Sequence, residues 1–348
     1  MIFVGEQPFA APVASQSPDY DTFVALMEHP FLVNASEILN AIPERKFSFS
    51  RDRESGSDRS EDTSWVYVFQ REYATVNPEI VKFVGTDEAT TCVGLIIRNR
   101  ESGMTSVAHM DSPDIVDIGL TQMMTWLVDH NAEVELDVHL IGGFEDASPN
   151  HMNGSTSPKS RTELNGYSFP LCTKIVKSLL RREEKFHIQT LHVLWHNTRR
   201  DFKGNAYPIF NGLLVETSTG IVTPANFDRT SRCPDEIVRR IRVTACCQDP
   251  SWDGKLLDTY DTLTDRIVIA ACFWTSYEMH KALRLQQLPD SAILLNCSTS
   301  PSAEGPDFVE NLRRQCEYVI RHPHWRQTFP KRQPRIFERT EDGGWRRC

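Results

Sequence analysis

Residues 90–109 read TTCVGLIIR (90–98), NRESG (99–103) and MTSVAH (104–109). Two apolar, β-branched runs joined by a polar segment that contains glycine predict one β-hairpin. Folded symmetrically about the Arg100–Glu101 bond, this hairpin sets Cys92 directly opposite His109. Directly opposed side chains share a face, with Cβ atoms roughly 4.5–5.5 Å apart. An imidazole at that distance can hold a thiolate, the form that a cysteine nucleophile needs.

The rest of the chain alternates helix and strand signals. This alternation predicts a mixed, layered α/β or α+β fold. Apolar spacing of three and four residues predicts helices, and runs of alternating or β-branched residues predict strands. We expect helices near 21–27, 35–41, 115–130, 171–180 and 303–320. We expect strands near 64–70, 133–140, 187–195, 206–214 and 292–295. A polar, charged segment over 50–62 precedes the strand near 64–70. The strand near 133–140 ends at Gly142-Gly143.

The 50–62 segment has no large apolar side chain, so we expect a mobile loop there. It divides the sequence into an N-terminal extension over 1–62 and a main domain over 63–348. A second loop, rich in Ser, Pro and Asn, is expected over 148–165.

Composition indicates the general class of protein. The chain has 348 residues, of which 40% are hydrophobic and 24% charged, values that suit a globular protein with a substantial core. The net charge of −9 argues against a general nucleic-acid binder. No apolar run approaches the length of a membrane span, and no signal peptide is recognisable. Nine cysteines without a Cys-x-x-Cys pair predict a reduced, intracellular protein without a disulfide framework.

Several familiar catalytic motifs are missing from the sequence. It has no His-Glu-x-x-His and no His/Cys cluster with zinc spacing, so we expect no metal. It has no glycine-rich phosphate loop and no Gly-x-Ser-x-Gly elbow, so neither a nucleotide cofactor nor a serine hydrolase is expected.

The residues before Cys92 support its interpretation as a nucleophile. The loop GTDEATT (85–91) is small and polar, and it can offer N–H groups to an oxyanion and hydroxyls to orient an imidazole. Asp87, Glu88 and Asp111 flank the proposed pair. A carboxylate raises the pKa of a neighbouring thiol, so these acids suit another task, such as binding a substrate ammonium.

The segment STSP (298–301) has two interpretations, and the sequence alone leaves both open. It is expected to follow a strand and precede a helix, where a serine and a proline commonly form an N-cap and first turn. Alternatively, Ser298 and Ser300 form a wall of the active site and bind a polar substrate.

Several of these motifs together resemble one known family. They are GTDEATTC (85–92), VAH (107–109), LDVHLIGGF (136–144) and STSPSAE (298–304) with FVE (308–310). From about Trp65 to the C-terminus, the chain resembles the protein N-terminal asparagine amidohydrolases. Its Cys/His hairpin also looks like that of bacterial chemoreceptor glutamine deamidases and of the cytotoxic necrotising factor class. Those enzymes place a Cys, a His and a hydroxyl or carbonyl partner on a layered β-sandwich flanked by helices. By this analogy the third catalytic member here is Thr86.

The resemblance implies a reaction and a setting for it. The reaction is hydrolysis of the side-chain amide of an N-terminal asparagine, through a thioester on Cys92 and without metal or organic cofactor. Substrates would be proteins or peptides with a free N-terminal Asn, and the product would enter arginylation and ubiquitin-dependent degradation. We expect a monomer of the cytoplasm and nucleus, without nucleic-acid or membrane partners. The residues expected to bind substrate are Asp87, Glu88, Thr91, Asp111, Ser298 and Ser300.

Two other classes of function remain open on the sequence. One is a deamidase or transglutaminase that acts on internal glutamine. The other is a non-catalytic module that captures destabilising N-termini without releasing ammonia.

Overall fold

The structure is a computed structural model, and it describes residues 1–10, 18–48, 64–128, 134–147 and 166–348. The polar segment predicted over 50–62 and the loop predicted over 148–165 lie outside the described residues.

Helices in the described part of the chain fall into an N-terminal and a C-terminal set. They are α1 (Pro18–Met27), α2 (Pro30–Asn40), α3 (Val116–Met124), α4 (Ser168–Leu180), α5 (Glu236–Cys246), α6 (Ser276–Gln286), α7 (Asp290–Cys297) and α8 (Phe308–Arg321). Short 3-10 turns cover Pro113–Ile115, Leu194–Asn197, Pro250–Trp252, Trp325–Gln327 and Pro330–Arg332. None of the helices in these ranges combines the length and hydropathy that a bilayer-crossing segment needs.

Strands are short and run throughout the described chain. They are β1 (Ile2–Val4), β2 (Gln7–Pro8), β3 (Arg45–Phe47), β4 (Trp65–Tyr67), β5 (Glu72–Val76), β6 (Phe83–Thr86), β7 (Val93–Asn99), β8 (Thr105–Met110), β9 (Glu135–Gly142), β10 (Lys185–His192), β11 (Thr198–Arg200), β12 (Ala206–Pro208), β13 (Leu213–Glu216), β14 (Val222–Phe227), β15 (Leu257–Asp258), β16 (Tyr260–Asp261), β17 (Arg266–Ile269), β18 (Arg335–Arg339) and β19 (Trp345–Arg347).

Most of these strands belong to two sheets. The larger has the order β15-β5-β8-β7-β9-β10-β1-β2, and the second has the order β3-β14-β13-β6-β4. A smaller sheet, β16-β17-β18-β19, and the pair β11-β12 complete the described strands. The N-terminal strand β1 pairs in parallel with β10. Residues 1–48, which the sequence assigns to an extension, therefore contribute strands and helices to the same layers as the main domain.

Strand β7 explains why the large sheet is covered on both faces. Val93, Leu95 and Ile97 point into a first core, which they share with apolar side chains of α1 to α4. Ile96 points the other way, into a second core that includes Leu213 and Val215 of β13. Burying side chains of this size stabilises the fold by about 1.5–3 kcal/mol each, so both faces hold the sheet in place.

These two cores define the architecture. The large sheet lies between the helical layer and the five-stranded sheet, and α5 and α8 pack into the second core through Val238, Ile241 and Val319. The predicted α+β fold, a layered mixed β-sandwich flanked by helices, is confirmed.

Two strand predictions in the second half of the chain are wrong. Residues 292–295 belong to helix α7, and the run over 206–214 is split into β12 and the start of β13. Short apolar runs do not distinguish a strand from a helix by periodicity alone, which explains the first error. The second arises because Pro208 and Gly212 interrupt the run.

Candidate active site

The central hairpin forms, but its register differs from the predicted one. Gly94, not Cys92, pairs with His109, and the turn is centred on the Glu101–Ser102 bond. The prediction that residues 92 and 109 lie directly opposite each other is wrong. The cause lies in Asn99, whose side-chain oxygen accepts the N–H groups of Glu101 (2.8 Å) and Ser102 (2.9 Å) and so fixes where the turn begins.

The corrected register still places Cys92 and His109 on one face. His109 lies opposite Gly94, and side chains alternate along a strand, so this alternation, continued one residue before the start of β7, points Cys92 the same way as Gly94. Cys92 is therefore a diagonal neighbour of His109, at a spacing of roughly 7–8 Å between such positions. Gly94 puts no side chain between them. Continued by one residue beyond Val93–Met110, the same register sets Cys92 opposite Asp111.

The face that Cys92 and His109 share points toward the five-stranded sheet. A Cβ placed on Gly94 would lie 2.5 Å from Cδ2 of Leu213, a side chain of that sheet. Glycine at position 94 thus lets the two sheets approach closely beside the cysteine. The candidate site lies between the sheets, at the start of β7.

Thr86 supplies the contact that orients the histidine. It is the last residue of β6, and its hydroxyl lies 2.8 Å from Nδ1 of His109. The same hydroxyl can donate to the carbonyl of Asp87, at 3.5 Å. If the Thr86 hydroxyl accepts from Nδ1–H while it donates to that carbonyl, Nε2 of His109 is left as a proton acceptor.

His109 is 2% exposed, and its Nε2 has no hydrogen-bond partner among the described residues. A buried nitrogen without a partner is costly to maintain, and such groups often have a catalytic role. The face of the sheet that carries Nε2 also carries Cys92.

Burial shapes the protonation of both groups. It lowers the pKa of His109 to about 4, against smaller opposing effects of Glu88 and Glu72. Burial, followed by Asp111 and Glu304, raises the pKa of the half-buried Cys92 thiol well above its usual range. These directions favour a neutral thiol beside a neutral imidazole near pH 7, rather than the resting thiolate expected from the sequence.

Two of the expected ammonium-binding acids already have cationic partners. Asp87 is buried and accepts from Arg232 (2.8 Å), from the Tyr67 hydroxyl (2.5 Å) and from the backbone of Phe227 (2.7 Å). Its carboxylate thus fixes the loop after β6 in place.

Glu88 is held in a similar way. It has a left-handed backbone conformation (φ 61°), and its carboxylate pairs with Arg232 (2.7 Å) and with both terminal nitrogens of Arg240 (2.8 and 3.0 Å). Such bidentate pairs position the backbone accurately. The structure therefore favours Asp87 and Glu88 as supports of the loop before Cys92.

Asp111 and Glu304 are the acids that act most strongly on the Cys92 thiol. Gln70 donates to Oδ2 of Asp111 (3.2 Å), while Oδ1 is buried without a partner among the described residues. Glu304 accepts from the Ser298 hydroxyl, and in the described chain no arginine or lysine pairs with it. Burial raises the pKa of both carboxyls. Glu304 belongs to the STSPSAE (298–304) motif, but the sequence alone indicates no role for it.

Hydrogen bonds join the 298–304 segment to the cysteine loop: Glu304 bonds to the Thr90 side chain, and two threonine hydroxyls meet. Oγ1 of Thr91 lies 3.0 Å from Oγ1 of Thr299. Ser300 is 6% exposed, and its hydroxyl has no partner among the described residues. The side chains of Thr91, Ser298 and Ser300 are thus brought to the region of Cys92.

The N-cap interpretation of this segment is wrong. Ser298 follows helix α7, and the next helix begins only at Phe308. Ser298 instead accepts the backbone N–H of Ser300 (2.9 Å) and donates to Glu304.

Comparison with known proteins shows the family to which the chain belongs. A sequence profile described as protein N-terminal asparagine amidohydrolase matches residues 55–347. The protein N-terminal asparagine amidohydrolase of Arabidopsis thaliana is 54% identical over 353 residues, which cover 100% of both chains. The proteins of the same name from Sus scrofa and Homo sapiens are 31% and 30% identical over 81% and 80% of this chain, and over 83% of their own lengths. The chain therefore belongs to the protein N-terminal asparagine amidohydrolase family.

Proposed function

We propose that this protein hydrolyses the side-chain amide of an N-terminal asparagine, in proteins and peptides, to give N-terminal aspartate and ammonia. The observation that carries the proposal is the placement of Cys92, His109 and Thr86 together between the two sheets of a chain that belongs to this family. A thiol, a base and a group that orients the base are the parts that acyl transfer through a cysteine needs.

The neutral resting state suggests how the reaction starts. As the Cys92 sulfur attacks the carboxamide carbon, its proton passes to Nε2 of His109. Thr86 binds Nδ1 and so leaves Nε2 free to accept this proton. A modest shift of either side chain brings the diagonal neighbours into contact, as catalytic hydrogen bonds often tighten only when substrate binds.

The rest of the reaction uses the same groups. Backbone N–H groups near Thr91–Cys92 stabilise the oxyanion, and one such donor is typically worth ~10²–10³ in rate. The imidazolium of His109 then protonates the departing nitrogen, ammonia leaves, and a thioester on Cys92 remains. His109 takes a proton from water, which attacks the thioester and restores the thiol.

Selectivity for the first residue requires a group that binds the free α-ammonium. In asparagine only a few bonds separate the carboxamide carbon from the α-nitrogen, so this group must lie close to Cys92. Glu304 meets the requirement because it is near the thiol and lacks a cationic partner in the described chain. Asp111 is the second such acid, with one oxygen unsatisfied. An acylated or internal asparagine would leave these carboxylates buried and uncompensated.

We expect Glu304→Gln to lower kcat/KM for an Asn-initiated peptide by roughly 10- to 100-fold, the cost of losing a charge-assisted hydrogen bond. Most of the change should be in KM, since the ammonium is bound in the ground state as well as in the transition state. Glutamine keeps an oxygen that can accept from Ser298, so the segment keeps its fold. Steady-state kinetics provide the measurement.

Glu310→Gln is the matched control for this change. Glu310 is an exposed acid nearby in sequence that pairs with Arg229 (2.6 Å), and its neutralisation should leave KM unchanged. Equal effects of the two substitutions would show that overall charge, rather than the position of Glu304, governs binding.

Mass spectrometry of peptides tests the reaction itself. An Asn-initiated peptide should gain, at its first residue only, the mass of amide replacement by hydroxyl, with ammonia released in equal amount. The same peptide with an acetylated N-terminus, or with asparagine at an internal position, should be unchanged. Conversion of internal glutamine would instead favour a glutamine deamidase, and binding without ammonia release would favour a non-catalytic module.

We further propose the setting that the resemblance implies. The N-terminal aspartate would be a secondary destabilising residue, subject to arginylation and ubiquitin-dependent degradation, and the enzyme would act as a monomer in the cytoplasm and nucleus. We also propose that the division near residues 62 and 63 separates an extension from the catalytic domain, although β1 pairs with that domain's sheet.

A further inference from the structure

A second candidate thiol lies at the C-terminal end of helix α5. Helix α5 ends at Cys246, and Cys247 follows it as the C-cap residue. Cys246 is buried and Cys247 is exposed. A terminal guanidinium nitrogen of Arg71 lies 3.6 Å from the sulfur of Cys247, so a cation directly contacts an accessible thiol.

Arg71 also belongs to the surroundings of the candidate site. Its backbone N–H donates to the carbonyl of His109 (2.9 Å), and its backbone has a left-handed conformation (φ 64°). Burial raises the pKa of Asp111 and the charge of Arg71 opposes that rise, so the carboxylate lies within the electrostatic reach of Arg71. Arg71 and Asp111 nevertheless form no ion pair among the described contacts. Arg71 therefore lies near both the Cys247 thiol and the Asp111 carboxylate, and it contacts the sulfur of Cys247.

We propose that Cys247 is a reactive thiol that forms a mixed disulfide with a low-molecular-weight disulfide such as oxidised glutathione, and that this modification turns Arg71 toward Asp111 and weakens substrate binding. The second half rests on the proposed function. In the exchange the Cys247 thiolate attacks one sulfur of the disulfide, the new S–S bond forms as the old one breaks, and one glutathione thiolate leaves. No other oxidant is needed.

Neighbouring groups keep Cys247 anionic near neutral pH. The neighbouring Cys246 thiol and the charge of Arg71 lower the pKa of Cys247 to about 6, against burial and Asp111, which act in the opposite direction. In the structure both thiols lie within hydrogen-bond distance of the Val243 carbonyl, at 3.0 Å for Cys246 and 3.4 Å for Cys247. Cys92, by contrast, has its pKa raised, as does the exposed Cys297. Thiolate attacks disulfides and thiol does not, so these three cysteines should differ strongly in rate.

The consequence for substrate follows from the position of Arg71. Once Cys247 carries a disulfide its negative charge is gone, and Asp111 becomes the nearest anion available to the guanidinium. An Arg71–Asp111 ion pair would compete with the α-ammonium of the substrate for the same carboxylate.

Peptide mapping tests the first half of the proposal. The full-length protein is treated briefly with oxidised glutathione near neutral pH, and the adducts are located by mass spectrometry. Cys247 should be modified well before Cys297, and equally fast in Cys92→Ala protein. Cys246→Ala should slow the modification, because it removes the thiol that stabilises the Cys247 anion. Modification of Cys297 at the same rate as Cys247 would overturn the assignment.

Binding tests the second half without relying on turnover. Cys92→Ala protein is capped on Cys247 with equimolar methyl methanethiosulfonate, which adds a small neutral group. The Kd for an Asn-initiated peptide should rise roughly fivefold and return on reduction. In Cys92→Ala/Arg71→Gln protein the same cap should leave Kd unchanged.

The possible failures are distinguishable. An unchanged Kd after capping the Cys92→Ala protein would overturn the coupling through Arg71. Absence of peptide binding before capping would instead count against the proposed function, while the mapping result on Cys247 would still stand.

Discussion

Replacement of Cys92 by alanine is expected to lower ammonia release from an Asn-initiated peptide by about 10⁴-fold or more, as loss of a covalent nucleophile does in other hydrolases. The remaining groups could still bind the substrate and polarise its amide, but no side chain would be left to form the acyl intermediate. Cys92 is half-buried at the start of β7, and alanine occupies that position without strain, so the fold should be retained. A coupled ammonia assay measures the effect.

Cys316→Ala provides the matched control for this loss. Cys316 is a buried cysteine of α8 in the second core, and its removal should cost some stability with little change in turnover. Thermal unfolding of both variants separates stability from catalysis. If Cys92→Ala retained full activity, Cys92 would have no place in the mechanism.

Substitution of His109 by alanine should lower kcat by roughly 10²–10⁴, the usual contribution of a general acid–base. Because burial lowers the pKa of His109 to about 4, the imidazole stays neutral above that pH and is able to accept the thiol proton. In the wild-type protein kcat should therefore persist into mildly acidic solution and fall as pH approaches about 4. KM should rise earlier in the same titration, since burial raises the pKa of Glu304 above its usual value and this carboxylate loses its charge before His109 gains a proton.

His192→Ala is the control for the histidine. His192 is as buried as His109, its pKa is likewise lowered to about 4 by burial, and it lies on β10 of the same sheet. Its loss should destabilise the protein without a matching loss of kcat. Equal losses of kcat in the two variants would show that His109 acts only through packing.

The hairpin shows what local sequence can predict. Alternating apolar residues and a polar break predict two paired strands, and both strands form. The register depends on a smaller feature, the side chain of Asn99, which binds two N–H groups and moves the turn by one residue. Because the true register differs from the predicted one by two positions in strand pairing, Cys92 and His109 stay on one face. A shift of one position would have put the two side chains on opposite faces of the sheet, whereas a shift of two positions keeps them on the same face.

The acids show what local sequence cannot predict. Asp87 and Glu88 stand next to the cysteine loop and so suggest a binding role, yet Arg232 and Arg240 take up their charges. Those arginines come from a distant part of the chain, and the sequence around residue 88 does not indicate that they will pair with these acids. Glu304 likewise acts on Cys92 from a distant part of the chain, so its position could be found only from the packing of the two segments.

Trapping of the acyl intermediate is the sharpest test of Cys92 as the nucleophile. The wild-type protein is mixed with an Asn-initiated peptide, quenched in acid within the first turnovers, and digested for mass spectrometry. We expect the peptide's first residue to be joined through its side-chain carbonyl to Cys92, with no such adduct in His109→Ala protein at equal times. Aspartate formation with no adduct at Cys92, or with an adduct on another cysteine, would contradict it.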